Sequence, residues 1–585
     1  MKTEARFLLA VLLMLGVLVG TNFLFPPVVP ESGEAFGDSV GAEGGQPTEG
    51  MPDTGDIVSG LPDRSVQGTP AVEGPDVSAP EGRGGVVTPP APAQPTERSV
   101  TVDGPLYRFT FSSVGARLTS AELTRFQALN HGGVVELVPE GAGGYLGQKL
   151  VVGSDTLDLG QARFRVEPEG GLRLGEGAAA ETLRFIYEAP SGALRYEIAY
   201  TFEADRYQVG VQGRVDGVDR ALLLTDLGAG LAYAEADSAL EARQMAYVHN
   251  HQTDGIRSTT LEKAEPTVVN GPLVWAAFRS KFFVMALLAG SSDEDVAVDR
   301  LLGGLLVRDS PLPERVRVAT AQTVSGGAPF DYRLFMGPQE YTRLSSLGQG
   351  MEEVNPYGWR FFRPIIRPFV SIIMAILVFL HTNLNWGYGW VLIVFGVMMR
   401  VVLFPLNHKA MKAQLRNMAV QPLVKEIQDK HKDNPEKLQK EMMRLYKEHG
   451  FNPLAGCLPM LLPWPVLIAL FFVFQNTIEL RGVPFLWLPD LSAKDPLYIL
   501  PIILALSMFL MQWVSLRSLD QENPQMKMMM YIMPPMMLFI FMNLASGLNL
   551  YYATANIATL PQQVWIARER AKMRQGPPLT LKRRE

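Results

Sequence analysis

A single cysteine, Cys457, serves all 585 residues. Disulfide frameworks and thiolate zinc sites need several, so both are excluded. Charge is also scarce: 19% of residues are Asp, Glu, Lys or Arg, against roughly 25% in an ordinary soluble protein. The shortage is greatest after Pro364, where several apolar runs are long enough to cross a bilayer. A purely soluble globular enzyme is thereby ruled out. A positive excess is missing too, since the formal net charge is −6. That argues against holding nucleic acid through a generally basic surface, and no specific nucleic-acid sequence is expected as a partner. Lysine is absent from Glu31 to Arg98, where ten prolines and almost no aromatic residues occur. Such a composition buries too little apolar surface to order itself, so residues 26–98 read as a disordered tether.

Ahead of the tether, nineteen uncharged residues run from Phe7 to Phe25, preceded by Lys2 and Arg6. No small-x-small cleavage site follows closely, and no cysteine stands behind the run for lipid attachment. Residues 1–25 therefore predict an uncleaved transmembrane anchor with its N-terminus in the cytoplasm. From 99 to 350 the texture changes to alternating segments such as Tyr107-Arg108-Phe109-Thr110-Phe111 and Leu194-Arg195-Tyr196-Glu197-Ile198-Ala199-Tyr200. Period-two alternation broken by turns such as Asp216-Gly217 predicts an antiparallel β-sandwich, placed outside the cytoplasmic membrane. The long tether predicts weak coupling between this domain and the spans.

Five further spans are predicted at 386–406, 454–474, 497–514, 528–544 and 548–567. The stretch 365–380 is also apolar, but as a span it would place the basic loop after it outside, against the positive-inside rule. Its apolar residues Ile365, Phe369, Ile372, Ile373, Ile376 and Leu380 recur at helical spacing, so 351–384 reads as an interfacial amphipathic helix. The fold class is thus a multi-pass α-helical membrane protein of six transmembrane helices, both termini cytoplasmic, with an extracytoplasmic all-β domain. Residues 407–452 hold ten Lys and Arg against six acids and read as a cytoplasmic helical hairpin. Pro435 suits a first helical position and Gly450 a C-terminal cap. The hairpin is either a solvated, lipid-facing basic surface or a docking arm, with Lys425, Lys430 and Lys432 the partner-docking candidates. Residues 568–585 form a short basic cytoplasmic tail.

Arg400 carries the most information. A charge within an apolar span costs roughly 2.5–3.5 kcal/mol, so it should face protein or a wet cavity. Alternatively its long side chain snorkels to the headgroups. The last span favours the cavity, because Asn549, Tyr551, Tyr552, Thr554, Asn556, Thr559, Gln562 and Gln563 are costly facing lipid. Eight methionines between Met526 and Met542 offer a soft, adaptable surface or ordinary lipid-facing filler. Pro459, Pro463 and Pro465 interrupt one span and Pro534-Pro535 another, so both should bend.

From Trp386 to Glu569 the chain resembles the core of the YidC-type membrane protein insertases of the Oxa superfamily. The matching pieces are Asn385-Trp386-Gly387, Arg400 with Phe404-Pro405-Leu406, Gln421-Pro422 and Asn452-Pro453-Leu454-Ala455-Gly456-Cys457-Leu458-Pro459. Asp490-Leu491-Ser492, Asp495-Pro496, Tyr498-Ile499-Leu500-Pro501, Ser546-Gly547-Leu548 and Leu550-Tyr551-Tyr552 follow in order. Anchor, tether and outer domain resemble the Gram-negative form, whose periplasmic domain is a β-supersandwich like those of sugar mutarotases. The resemblance implies an inner-membrane insertase with a five-helix core at 385–567. Nascent membrane proteins would leave water through a hydrophilic groove containing Arg400, Tyr552, Asn556 and Thr559. They would exit into the lipid bilayer along a greasy slide that includes Leu461, Leu467, Met533 and Met537. It implies no enzymatic chemistry, cofactor or metal, and it brings the Sec translocon, the ribosome and the signal recognition machinery into view as partners.

Two positions depart from the family: Gly396 and Pro463 stand where many relatives carry polar residues, which predicts a less polar groove wall. Two rival readings remain. A secondary transporter should show internal repeats, and none is convincing between the halves. A membrane-anchored sugar-binding or sugar-isomerising protein would use the outer domain. There His249-Asn250-His251 with Asp254 puts two imidazoles on one strand face, a weak metal signal.

Overall fold

The computed structural model of the chain describes residues 97–143, 145–290, 301–310, 316–355, 363–405, 464–517 and 524–574, with scattered positions between 427 and 445. The expected anchor 1–25, nearly all of the tether 26–98, most of the hairpin 407–452 and the tail beyond 574 lie outside the described residues.

The alternating segments form two packed antiparallel sheets. In the larger one, strands Arg220–Gly228, Val316–Ser325, Leu302–Asp309, Thr267–Arg279, Phe283–Ala289, Pro329–Pro338, Gln208–Asp216, Arg195–Phe202 and Glu181–Glu188 lie side by side. The smaller sheet runs Val134–Glu136, Leu118–Gln127, Arg108–Ser112, Ser99–Asp103 and Leu172–Arg173, and only the last pairing is parallel. Strand Arg195–Phe202 shows why: Tyr196, Ile198, Tyr200 and Phe202 are buried while Arg195 and the residues between them are not. Period two puts one set on each face. The buried set meets the small sheet through rings, with Phe111 5.1 Å from Tyr200 and Phe109 6.3 Å from Phe202. Each such fully buried aromatic contributes about 1.5–3 kcal/mol. Opposite Gly213 lies Phe330, whose ring would stand 2.1 Å from any Cβ there. The glycine therefore makes room for the aromatic. Gln148, a polar group deep in this layer, is satisfied by accepting from the Tyr196 hydroxyl and donating to that of Tyr332 at 3.1 Å, as a buried amide must be.

The C-terminal part is helical. We number its main helices α1 (Arg363–Leu384), α2 (Tyr388–Pro405), α3 (Trp464–Asn476), α4 (Ile499–Arg517), α5 (Pro524–Phe541) and α6 (Ser546–Arg574). Among the described residues, α1 and α2 are long and apolar enough to cross a membrane, and α3, α4 and α5 contain the shorter apolar stretches Val466–Asn476, Ile499–Val514 and Met530–Phe541. Phe379, Val401, Val402, Ile502 and Phe539 expose more than half of their surface, a distribution suited to lipid rather than water. α1 packs on α3, and α4 lies between α5 and α6. The stripe that α1 buries is Ile366, Val370, Ile373, Met374 and Leu377. Of the stripe expected from the sequence only Ile373 is fully buried, because contact with α3 and with Thr477 just past its end, whose Oγ1 lies 3.6 Å from Met374 Sδ, selects the neighbouring face. Two ion pairs of 2.8 Å, from Arg367 to Glu352 and to Glu353, tie the start of α1 to the segment before it.

The expectation of weak coupling fails. In the segment joining α3 to α4, Arg481 reaches Glu235 of the β-domain at 2.6 Å, with 4% and 7% of the two side chains exposed. The composition of the segment before the β-domain says nothing about contacts made elsewhere on that domain.

Candidate functional site

Helix spacing builds the site. Gly396 faces α6 so closely that a Cβ there would lie 3.4 Å from Thr554 Cγ2 and Tyr551 O. One turn further, on the same face of α2, comes Arg400. It lies near the phenols of Tyr551 and Tyr552, and its Nε is buried with no hydrogen-bond partner among the described residues. The departure at Gly396 thus has a packing consequence: without a side chain, α2 and α6 close together beside the arginine. Tyr551 is held between rings, 5.7 Å from Phe395 and 5.4 Å from Phe474. Tyr552 rests edge-on against Phe541 at 5.5 Å and donates to the carbonyl of Leu467 at 3.4 Å. α6 is therefore pinned to α2, α3 and α5 at one level.

Beyond that level Asn556 of α6 turns toward α4. Asn556 is buried and its amide donates to Ser507 Oγ at 3.3 Å; Thr559 is buried and donates to Ala555 O at 2.6 Å. The structure thus brings Arg400 together with Tyr551 and Tyr552, and places Asn556 and Thr559 further along α6, each already hydrogen-bonded. Asn549 donates to Phe541 O at 3.0 Å while its Oδ1 stays buried without a partner. Of the slide residues, Leu467, Met533 and Met537 are half-buried; Leu461 lies outside the described residues. Lys430 is exposed on a helical residue, whereas Lys425, Lys432 and Pro463 lie outside the described residues. Sequence reasoning missed Ser507. Its signal was faint, a lone hydroxyl in an apolar run.

Several of the motif residues turn out to seat helices. Asp495 Oδ2 accepts from Leu500 N at 2.8 Å, and its Oδ1 from Leu497 N at 3.0 Å and Trp487 Nε1 at 3.2 Å. Such a carboxylate satisfies donors left open at the start of α4. Ser546 and Gly547 donate their backbone N–H to Ala493 O and Leu491 O at 2.7 and 2.8 Å, which fixes the start of α6. At Gly389 a Cβ would lie 2.1 Å from the Phe485 ring, so that glycine admits the same segment against α2.

The histidines of the outer domain have local roles. His251 Nδ1 accepts from Thr253 N and Asp254 N, both at 3.2 Å, and Asp254 pairs with Arg257 at 3.0 Å. His249 lies in the sheet, where burial pushes its imidazole down to about 4. Among the described residues no three His, Cys, Asp or Glu side chains are grouped to hold a metal ion.

Comparison with known proteins gives two matching family models. The YidC periplasmic domain matches residues 99–372, and the 60Kd inner membrane protein family matches residues 379–574. The membrane protein insertase YidC of Chlorobium limicola is 31% identical over 500 residues, covering 80% of this chain and 82% of that protein. The chain belongs to the YidC family of membrane protein insertases. The Chlorobium phaeovibrioides relative of the same name is 32% identical over 80% of this chain and 83% of its own, and that of a Geobacter species 31% over 80% and 85%. Among solved structures, an active YidC insertase with its first transmembrane domain resolved covers 80% of this chain and 93% of its own, at 19% identity and a TM-score of 0.32. Within the family frame, the β-rich region corresponds to the periplasmic domain of an inner-membrane protein, and the helical region to its membrane part.

Proposed function

We propose that this chain moves nascent membrane proteins from the cytoplasm into the inner membrane through a polar groove formed by α2 and α6. The carrying observation is Arg400: a buried guanidinium nitrogen without a partner, flanked by two phenols among apolar helices. A cation held in low dielectric and, among the described residues, not paired with a carboxylate attracts an acidic client tail more strongly than one in water. Tyr552, Asn556 and Thr559 continue the polar wall, and the half-buried Leu467, Met533 and Met537 offer the client's apolar segment a way into lipid. No covalent step is involved. Partition of the apolar segment and the membrane potential acting on charges supply the driving force.

The arrangement we propose for the whole chain has six transmembrane helices with both termini in the cytoplasm, and α1 in the outer interface. Its parts are the anchor 1–25, tether 26–98, β-domain 99–350, interfacial helix 351–384, core 385–567 and tail 568–585. The basic hairpin 407–452, with Lys425, Lys430 and Lys432, faces the cytoplasm. There it is suited to meet a ribosome, the signal recognition machinery or the Sec translocon as clients are delivered.

The test is insertion into liposomes containing only this chain. It compares a client with an acidic tail and one with a neutral tail, at matched protein levels. Arg400→Lys keeps a point charge and should retain much of the activity toward the acidic client, while Arg400→Ala and Arg400→Glu should lose it. A snorkelling arginine would be replaceable by the hairpin lysines. Equal activity of Arg400→Ala and wild type toward the acidic client sinks the groove.

A further inference from the structure

A cavity of about 280 Å³ opens in the β-domain, against four strands of the larger sheet and the segments that carry Arg117, Gly143 and Gly160. The strands are Gln148–Val152, Arg220–Gly228, Val316–Ser325 and Leu302–Asp309, neighbours in that order. Their register puts Lys149, Leu224, Asp226, Ala319, Arg317 and Arg308 on one face. Asp309 follows Arg308 and so falls on the other face by the strand's alternation. The remaining charged lining is four cations, Arg117, Lys149, Arg308 and Arg317, against two carboxylates, Asp158 and Asp226. Cations are in excess.

The acceptors of the pocket are already taken. Asp226 Oδ2 accepts from Arg317 Nε at 2.6 Å and its Oδ1 from Gly228 N at 2.7 Å. Asp158 Oδ2 accepts from Lys149 Nζ at 2.6 Å and its Oδ1 from Gly160 N at 3.0 Å. The carbonyls of Gly143 and Gly147 accept from Arg317 Nη2 at 2.6 Å and Asp226 N at 2.9 Å. The donors are left over. Arg117 donates from Nε to Val114 O at 3.3 Å, and among the described residues its terminal nitrogens meet no carboxylate. Arg308 is exposed and lies near Asp226, yet it forms no ion pair among the described residues. Lys149 has three N–H groups and gives one to Asp158. Arg308 also stands directly opposite Arg317 on the neighbouring strand, a placement in which like charges repel. An anion between them relieves the repulsion and uses the free donors.

Two guanidinium forks and an ammonium match the several oxygens and the double charge of a phosphate monoester. The rest of the lining says what that phosphate is attached to. Leu224 and Ala319 are its only apolar side chains and no ring is present, so neither an acyl chain nor a stacked base finds a surface. The volume lies just under the roughly 300–1,000 Å³ of drug-sized sites. The ligand is therefore small and hydrophilic.

We propose that the β-domain binds a small soluble phosphomonoester of the sugar-phosphate class in this pocket, its phosphate held by Arg117, Arg308 and Lys149. Every lining residue belongs to the β-domain, so the proposal is independent of the reading of α2 and α6 as a groove.

The test is isothermal titration calorimetry of the full-length chain in detergent, with glucose 6-phosphate as the probe. Saturable binding tighter than about 1 mM is expected, competed by inorganic phosphate and absent with glucose. Arg117→Ala and Arg308→Ala should each weaken it at least about tenfold, as loss of a charge-assisted hydrogen bond requires, with the melting midpoint of the chain unchanged. Asp158→Asn removes a negative charge beside Lys149 and should tighten binding severalfold, which a purely structural role for these residues would not produce. Arg257→Ala, removing the exposed pair with Asp254, should leave binding as it is. Dihexanoyl phosphatidic acid, the same phosphate on acyl chains, should bind no more tightly than glycerol 3-phosphate; tighter binding overturns the soluble ligand in favour of a lipid headgroup. Absence of saturable binding by glucose 6-phosphate and inorganic phosphate overturns the site, and so does equal affinity for glucose or undiminished binding in Arg117→Ala and Arg308→Ala.

Discussion

Glu241, which accepts from the backbone of Ala234 and Glu235, gives the β-domain a pH signature. It lies on the short helix Ser238–Gln244 with none of its surface exposed. Burial pushes its carboxyl up from 4.5 to about 7, against the two backbone N–H bonds that favour the anion, and the neighbouring Glu235 adds to the rise. Below 4.5 the group is protonated in folded and unfolded chains alike and is silent. As pH rises from there, the unfolded chain ionises first and the folded chain keeps its proton. Stability therefore falls through this window and levels off above about 7. The gap between 4.5 and 7, at about 1.4 kcal/mol per pH unit, corresponds to about 3 kcal/mol. For a domain of this size 1 kcal/mol moves the melting midpoint by roughly 2–4 °C, so the whole effect is about 6–12 °C. Glu241→Gln keeps an oxygen for both N–H donors and cannot ionise. Melting of the full-length chain in detergent, followed by near-ultraviolet circular dichroism, should give equal midpoints for variant and wild type at pH 4.5. The variant should be higher at pH 8. Taking the difference between the chains removes the contributions of the neighbouring Glu235 and Lys281. A difference that does not change with pH, or a wild type more stable at pH 8, refutes the reasoning.

Two further outcomes follow from the membrane part. Asn556→Ala and Ser507→Ala each remove one side of the same hydrogen bond, so their effects on thermal stability should be non-additive, with a coupling of about 0.6–1.7 kcal/mol; strict additivity would show that the 3.3 Å contact contributes nothing. With Lys430→Cys in the Cys457→Ser background, an impermeant maleimide should label the residue only once the cytoplasmic side is opened, and labelling in intact spheroplasts would reverse the proposed topology.

How far the chain could be read from its residues depends on how local each signal is. Tyr196, Ile198, Tyr200 and Phe202 announce a half-buried strand because the relevant period is two residues and the strand's own neighbours decide it. Phe283–Ala289 is buried on both faces and so shows no alternation; only its place inside the sheet identifies it. Arg400 was legible for the same local reason as the alternating strands, as a charge standing in an apolar run. The buried stripe of α1 was not, since two apolar faces compete on that helix and the choice belongs to α3.

The junction at Arg481 marks the limit of this kind of reading. In sequence it is one arginine just after an apolar run, where positive charges commonly sit at a membrane edge. Its partner Glu235 is 246 positions away, and neither residue is unusual where it stands. What makes the pair consequential is that both are almost wholly buried: an exposed pair at this distance would be worth under about 1 kcal/mol. Burial converts it, because a charge withdrawn from water must find its counter-charge in one geometry or bear several kcal/mol of desolvation. The Asn556 amide follows the same logic on a smaller scale. Read from the sequence it is a polar residue in want of water, and the fold instead supplies Ser507. In the proposed groove, Asn556 and Thr559 are already hydrogen-bonded. Neither is then a partner for Arg400, whose Nε has none among the described residues and so stays open to the client that the proposal calls for.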